Sequence, residues 1–285
     1  MRYRFVRDHA GVYPVTLLCH TLRVTRSGYY AWRHRPESAH AREDRRLLTA
    51  ITELHTASRR TYGSPRMHAA LRQQGESCGR HRIARLMRAH GIAAVHARRY
   101  RVTTDSRHRR PVADNLLARQ AVSAPDQVWA SDITYVPTRE GWLYLAAVMD
   151  LYSRRIVGWS MDTTLNRALP LAALTAALRR RQPAPGLIHH SDRGSQYASD
   201  DYQQLLHRNG LLPSMSRAGN CWDNATMESF FHSLKVEWLH RTTFHTRAEA
   251  RQTIFPYLEV WYNRHRLHSA LGYRSPEAYE LLIAA

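Results

Sequence analysis

The sequence predicts a mixed α/β domain preceded by a basic region of short helices. Three observations carry that reading. Residues 128–136, VWASDITYV, alternate and are β-branched, and two more strand-like runs follow before helices and strands alternate. The first 124 residues break instead into short helical periods punctuated by glycine and proline. Charge divides the same way. Residues 1–124 hold 25 Arg against 8 Asp+Glu, a net +17, so only +2 of the total +19 falls on the rest. An even excess would suit an ordinary solvated surface; this asymmetry favours a polyanion-binding front on a near-neutral body.

The 285 residues suffice for one large domain or two smaller ones, and 44% hydrophobic content supports a core. No apolar run reaches the roughly 18 residues of a bilayer span, and the N-terminal MRYRFVRDHAGVYPV lacks a signal-peptide core. The expectation is a soluble, cytoplasmic protein. Cys19, Cys78 and Cys221 are odd in number and far apart, so they form neither a disulfide framework nor a zinc signature.

Residues 1–40 read as an N-terminal helical segment. Stretches 14–22 and 26–33 are short helices about a turn, compatible with a small helix-turn-helix or a plain hairpin. Residues 41–95 read as a helix-turn-helix-like DNA-binding domain. Leu47, Leu48, Ile51 and Leu54 mark a helix from Arg42 to Ala57. TYGSPR is turn chemistry, with Pro65 suited to the first position of the next helix. A third helix runs from about Gly79 to His90, with Ile83, Leu86 and Met87 inward and Arg80, Arg82, Arg85 and Arg88 on its other faces. Such a face fits a DNA-reading trihelical unit, or a charged bundle surface. Residues 96–124 lose the period and carry Arg98, Arg99 and Arg101 among polar residues, a basic linker able to track phosphates.

The body, residues 125–285, opens with three strands as an antiparallel meander: Val128–Val136, Trp142–Ser153 and Arg154–Thr164. A helix over 167–181, a strand Leu187–His190, a helix Asp200–Asn209 and a strand Leu211–Met215 follow. Next comes a helix over Asn220–Glu237, with Asn220 and Asp223 as capping candidates. Met227, Phe230, Phe231, Leu234 and Trp238 form one apolar face. Asn224, Glu228, His232 and Lys235 share another side, and Lys235 is the only lysine in the chain.

Three carboxylates stand out. Asp132 lies mid-strand, Asp192 follows a short buried strand, and Glu228 sits on that helix. Singly, each reads as a cap, turn or surface charge. Together they form a cluster that would repel itself and DNA phosphate. Mg²⁺ or Mn²⁺ resolves both conflicts, since these hard ions take oxygen ligands and bind phosphate. Two ions about 3.5–4 Å apart serve an in-line displacement.

WASDITYV, HSDRGSQY and CWDNATMESFFHSLKVE resemble the motifs of DDE transposases of the bacterial insertion-sequence-three family, second-reading-frame product. Thirty-five residues separate Asp192 from Glu228, and Lys235 follows seven after the glutamate, as in that family. YGSPRMHAAL and YNRHRLHSALGYRSPEAY resemble its preceding and C-terminal regions. The resemblance implies a ribonuclease-H-like, integrase core with a five-stranded mixed sheet. Asp132, on the first strand, Asp192, at the end of the fourth, and Glu228, on the following helix, would be catalytic acids and ligands of two Mg²⁺ or Mn²⁺ ions. It implies nicking at terminal inverted repeats and 3′-hydroxyl strand transfer, a homo-oligomer on double-stranded DNA, partnership or fusion with the upstream-frame product, and nucleoid association.

Lys235 is expected to hold a phosphate or base of the bound end. Trp222 and Asn224 suit an unstacked terminal base, or else packing and capping. Tyr262, Arg264 and His265 suit a C-terminal DNA contact or a helix surface. Two other functions remain compatible with the residues: a nuclease on the same core that does not join strands, and a DNA-binding regulator with an idle body.

Overall fold

A computed structural model describes residues 1–95, 113–117, 122–216 and 224–283. The chain forms two compact units, Met1–Glu53 and Leu54–Ala285. The first contains α1 (Arg2–His9), α2 (Val15–Thr21) and α3 (Arg26–Arg33). Val6, Leu18, Cys19 and Tyr29 form its buried cluster. Thr25 caps α3 by accepting a hydrogen bond from Gly28 N. Helix α4 (Ala39–Ala57) spans the division between the units.

In the second unit, α5 (Ser64–Gln73) starts with proline in its first turn, as the TYGSPR turn predicts. Helix α6 (Arg80–Ala89) buries Ile83, Leu86 and Met87. Glycines Gly75 and Gly91, at φ +87° and +65°, follow these two helices.

A five-stranded sheet of order β3-β2-β1-β4-β5 comes next. Strands β1 (Val128–Thr138), β2 (Gly141–Asp150) and β3 (Ile156–Asp162) form the antiparallel meander. Strands β4 (Ile188–Ser191) and β5 (Leu212–Met215) are parallel to β1 and to each other. Helices α7 (Ala168–Arg181) and α8 (Asp200–Arg208) belong to one face, whose core includes Trp129, Val148, Leu174, Tyr202 and Leu206. Gly158 lets α7 lie close against β3: a Cβ there would meet Ala177 N at 2.5 Å and Ala177 Cβ at 2.6 Å.

The other face carries α9 (Ala225–Glu237) and α10 (Arg247–Pro256). Met227, Phe230, Phe231, Leu234 and Trp238 are buried there with Ala130, Val136, Leu145 and Met149, the apolar face read from periodicity. At about 1.5–3 kcal/mol for each large apolar side chain fully buried, this face fixes α9 to the sheet. The helix begins at Ala225, later than Asn220, and Asn224 is the capping position without a side-chain cap bond. The candidates Asn220 and Asp223 lie outside the described residues.

Helix α10 has a capping box, with Thr246 accepting from Glu249 N and Glu249 accepting from Thr246 N. It continues into a π-helical segment, Tyr257–His265, and then α11 (Pro276–Leu281). Asn263 of the π-helical segment accepts from Ile156 N and donates to Ile156 O, which fastens this segment to β3.

Candidate active site

Strands β1 and β4 run parallel through four rungs, from Val128↔Ile188 to Ser131↔Ser191. Asp132 and Asp192 are the next residues on each chain. Neighbouring strands lie about 4.8 Å apart, so the ladder delivers two carboxylates to the end of the β1–β4 pairing. Asp132 Oδ1 accepts from Ile133 N at 2.7 Å, and Asp192 Oδ1 accepts from Gly194 N at 2.9 Å. A Cβ on Gly194 would come within 2.9 Å of that Asp192 oxygen, so a side chain there would disturb the carboxylate.

Glu228 stands exposed in the first turn of α9, where the helix dipole favours a negative charge. Its field reaches Asp132. Burial pushes the Asp132 carboxyl up to about 8, and the charges of Asp192 and then Glu228 add to the rise. The Ile133 N–H and Lys235 act in the opposite direction. The three acids therefore form one electrostatic group. Among the described residues, no three His, Cys, Asp or Glu side chains stand close enough together to hold a metal ion as they are. The donor chemistry still suits a divalent cation, because hard carboxylate oxygens already repel one another here.

Lys235 reaches toward β1. Its Nζ lies 4.9 Å from the centroid of the Tyr135 ring, and its field acts on Asp132. Burial lowers the Lys235 pKa, while Tyr135 and Asp132 oppose that shift. Asn224 is buried one turn before Glu228, and its Oδ1 has no hydrogen-bond partner among the described residues. His232 is exposed.

The strands beneath the acids are held by buried polar contacts. His189 Nε2 lies 2.8 Å from Ser131 Oγ and 3.1 Å from the Tyr202 hydroxyl. His190 contacts Ser214 and Ser216 at 2.9 and 3.0 Å, and Arg193 Nε donates to Ser216 O at 2.7 Å. The HSDR stretch thus supports the loop carrying Asp192 through its own neighbours.

Tyr262 is a core residue, not a DNA contact: it is buried and meets Phe230 edge-on at 4.8 Å. Arg264 and His265 are exposed. Sequence reasoning also missed the buried pair below α9. Arg266 donates twice to Glu237, at 2.8 and 2.6 Å, and Arg66 of α5 lies 3.7 Å from the same carboxylate. Tyr62 of the TYGSPR turn donates to His265 O and accepts from Leu267 N, while Arg59 lies 3.5 Å over the Trp238 ring. The YGSPR and YNRHRLHS motifs, far apart in sequence, therefore meet in one joint at the C-terminal end of α9.

On α6, Arg80, Arg85 and Arg88 are exposed and Arg82 is half-buried. Arg98, Arg99 and Arg101 lie outside the described residues.

Models of an integrase core domain match residues 122–221 and 209–276, and a model of an HTH-like domain matches residues 42–100. An IS600 insertion-element protein of 31 kDa from Shigella sonnei is 46% identical over 263 residues, covering 92% of this chain and 97% of its own. Transposase InsF for insertion sequence IS3A of Escherichia coli strain K12 is 43% identical over 283 residues, 98% of each chain. The chain belongs to the insertion-sequence-three family of transposases. Its fold is the five-stranded integrase core of that family, preceded by an HTH-like helical region. Among solved structures, a chain of the simian T-cell lymphotropic virus intasome is similar at 15% identity and a TM-score of 0.48, covering 81% of this chain and 74% of its own. No helix among the described residues is long and apolar enough to cross a membrane.

Proposed function

We propose that this transposase cuts DNA at the ends of its insertion sequence and joins the freed 3′-hydroxyl to a target phosphodiester, with Asp132, Asp192 and Glu228 as catalytic acids. The observation that carries this reading is the electrostatic grouping of the three acids where the pairing of β1 with β4 ends. They would hold Mg²⁺ or Mn²⁺, with two ions the expected number. Bound there, divalent ions supply Lewis-acid activation of an attacking oxygen and stabilise the leaving oxygen. The chain's own part is positioning. Strand pairing sets Asp132 beside Asp192, the buried face of α9 presents Glu228, and Lys235 would hold a phosphate of the bound end.

DNA capture falls to the basic front. Arg80, Arg82, Arg85 and Arg88 of α6 are proposed duplex contacts, and Arg98, Arg99 and Arg101 proposed phosphate contacts. Asn224 is proposed to accept a hydrogen bond from a displaced base. The functional segments on this reading are 1–40, 41–95, 96–124 and 125–285. A homo-oligomer would hold two ends together, and the upstream-frame product is the proposed partner. A cytoplasmic, nucleoid-associated location is proposed, because the substrate on this reading is chromosomal DNA.

A strand-transfer assay with pre-cut element ends tests the joining step. The expected result is a joined product that needs Mg²⁺ or Mn²⁺ and appears with the end's own 3′-hydroxyl. Hydrolysis with no joined product would instead identify a nuclease.

A further inference from the structure

Two large aromatic side chains stand exposed on the β1–β2 hairpin beyond Asp132, and the proposed chemistry does not use them. Tyr135 keeps 39% of its surface and Trp142 keeps 47%. Tyr135 pairs with Tyr144 and Trp142 with Pro137, so Tyr135 and Trp142 are diagonal neighbours on one face of the β1–β2 hairpin. Their ring centroids are 5.0 Å apart at an interplanar angle of 81°. In this edge-to-face contact Trp142 braces the tyrosine ring and steadies its orientation. Lys235 Nζ lies 4.9 Å from the same ring.

The setting is an open strand edge. Pairing of β1 with β4 ends at Ser131, and among the described residues the next contact on that edge is the single bridge from Thr138 to Phe244. Tyr135 lies within this gap. At about 3.3 Å per residue it is roughly 10 Å along the strand from Asp132. Arg247 is nearby, donating through Nε to Trp142 O.

We propose that Tyr135, braced by Trp142 and flanked by Lys235, is a stacking surface for one unpaired base of the DNA strand being processed. An exposed ring beside a cation matches a nucleotide, which offers a flat π face next to a phosphate. The surface is sequence-tolerant, because every base has such a face. It explains why the β1–β2 hairpin presents tyrosine and tryptophan to solvent. This role rests on the transposase reading above and deepens it, by assigning the base-binding part of the DNA site.

The test is a thermodynamic cycle between protein and DNA, using the full chain. The probes are a duplex of the element's own terminal repeat ending in three unpaired nucleotides, and the same duplex with each unpaired base in turn made abasic. Binding is measured by fluorescence anisotropy for the parent, Tyr135→Phe and Tyr135→Leu, with Tyr135→Thr as a second strand-compatible replacement. For the parent and Tyr135→Phe, one abasic position weakens binding about tenfold. Tyr135→Leu and Tyr135→Thr bind the intact probe about tenfold more weakly and lose nothing further at that position.

Additive losses, or parent-like binding by both replacements, would overturn the stacking role. In that case continued Mg²⁺-dependent nicking by the parent leaves the transposase reading intact. A parent that neither binds nor nicks these ends would overturn both.

Discussion

Ser131 and Ser191 are partners on the last rung between β1 and β4, and the residue after each is an aspartate. The sheet thereby brings like charges together where this pairing stops. Asp132 bears the consequence, held at about 8 by burial first, then by Asp192 and Glu228. Between the ordinary carboxylate value near 4 and 8, the folded state keeps the Asp132 proton while the unfolded state has lost it. Metal-free protein therefore loses stability as pH rises through that window. Asp132→Asn is expected to raise the melting temperature of the metal-free protein at pH 8 by a few degrees, on the order of 1 kcal/mol. The gain should shrink toward pH 5. Calorimetry in the presence of a chelator checks this, and an Asn variant that melts lower at pH 8 contradicts it.

The Glu237–Arg266 pair is almost wholly buried, with 9% and 5% of the respective side chains exposed. Removing one partner strands a charge. Arg266→Met or Glu237→Gln should each cost about 3–5 kcal/mol in urea unfolding. The Glu237→Gln/Arg266→Met double variant should recover part of that loss, because both members of the pair are then neutral and only Arg66, 3.7 Å from Glu237 in the parent, loses its partner. Full additivity would show that the two side chains are not energetically coupled.

His268 and His189 are buried and neutral. Burial first, then Arg266, holds His268 at about 2; burial first, then His190, holds His189 at about 3. Their unfolded values are near 6.5, so below that pH the unfolded chain takes up protons that the folded chain refuses. Stability should therefore fall as pH drops from 7 to 5, by up to about 1.4 kcal/mol per pH unit for each histidine below 6.5. His268→Gln should flatten this slope in urea titrations across that range. An unchanged slope would mean that His268 is protonated in the folded state.

Gly158 is a point of close approach between α7 and the sheet. Gly158→Ala would drive a methyl group into the Ala177 backbone, which has no flexible end to move aside. The expected cost is about 1–3 kcal/mol in urea unfolding, with the melting temperature lowered. A parent-like midpoint would mean that α7 shifts freely.

The sequence made the sheet legible because β1 and β2 alternate and are rich in strand formers, while Gly141, at φ +109°, marks their hairpin. The inward face of α9 was legible for a similar reason: five apolar residues at helical spacing become five buried ones. Position along the chain also placed Asp132, Asp192 and Glu228 on their elements. Long-range pairing was not legible. Nothing local in the sequence shows that Glu237 and Arg266 meet in the interior. Tyr262 looked like part of a basic surface motif, yet Asn263 fastens its π-helical segment to β3 and the ring turns inward against Phe230. The direction of Lys235 depends on a flexible side chain meeting the open edge of β1, which helical spacing alone cannot reveal.

The central claim is that the three acids act as one catalytic group. The most direct measurement is Mg²⁺-dependent nicking of a terminal-repeat duplex by Asp132→Asn, Asp192→Asn and Glu228→Gln, with DNA binding measured on the same preparations. Each variant should bind the duplex within about threefold of the parent and nick at least about a thousandfold more slowly, on the order of 4 kcal/mol of lost transition-state stabilisation. Nicking at the parent's rate by any one of the three would remove that residue from the centre and contradict the account.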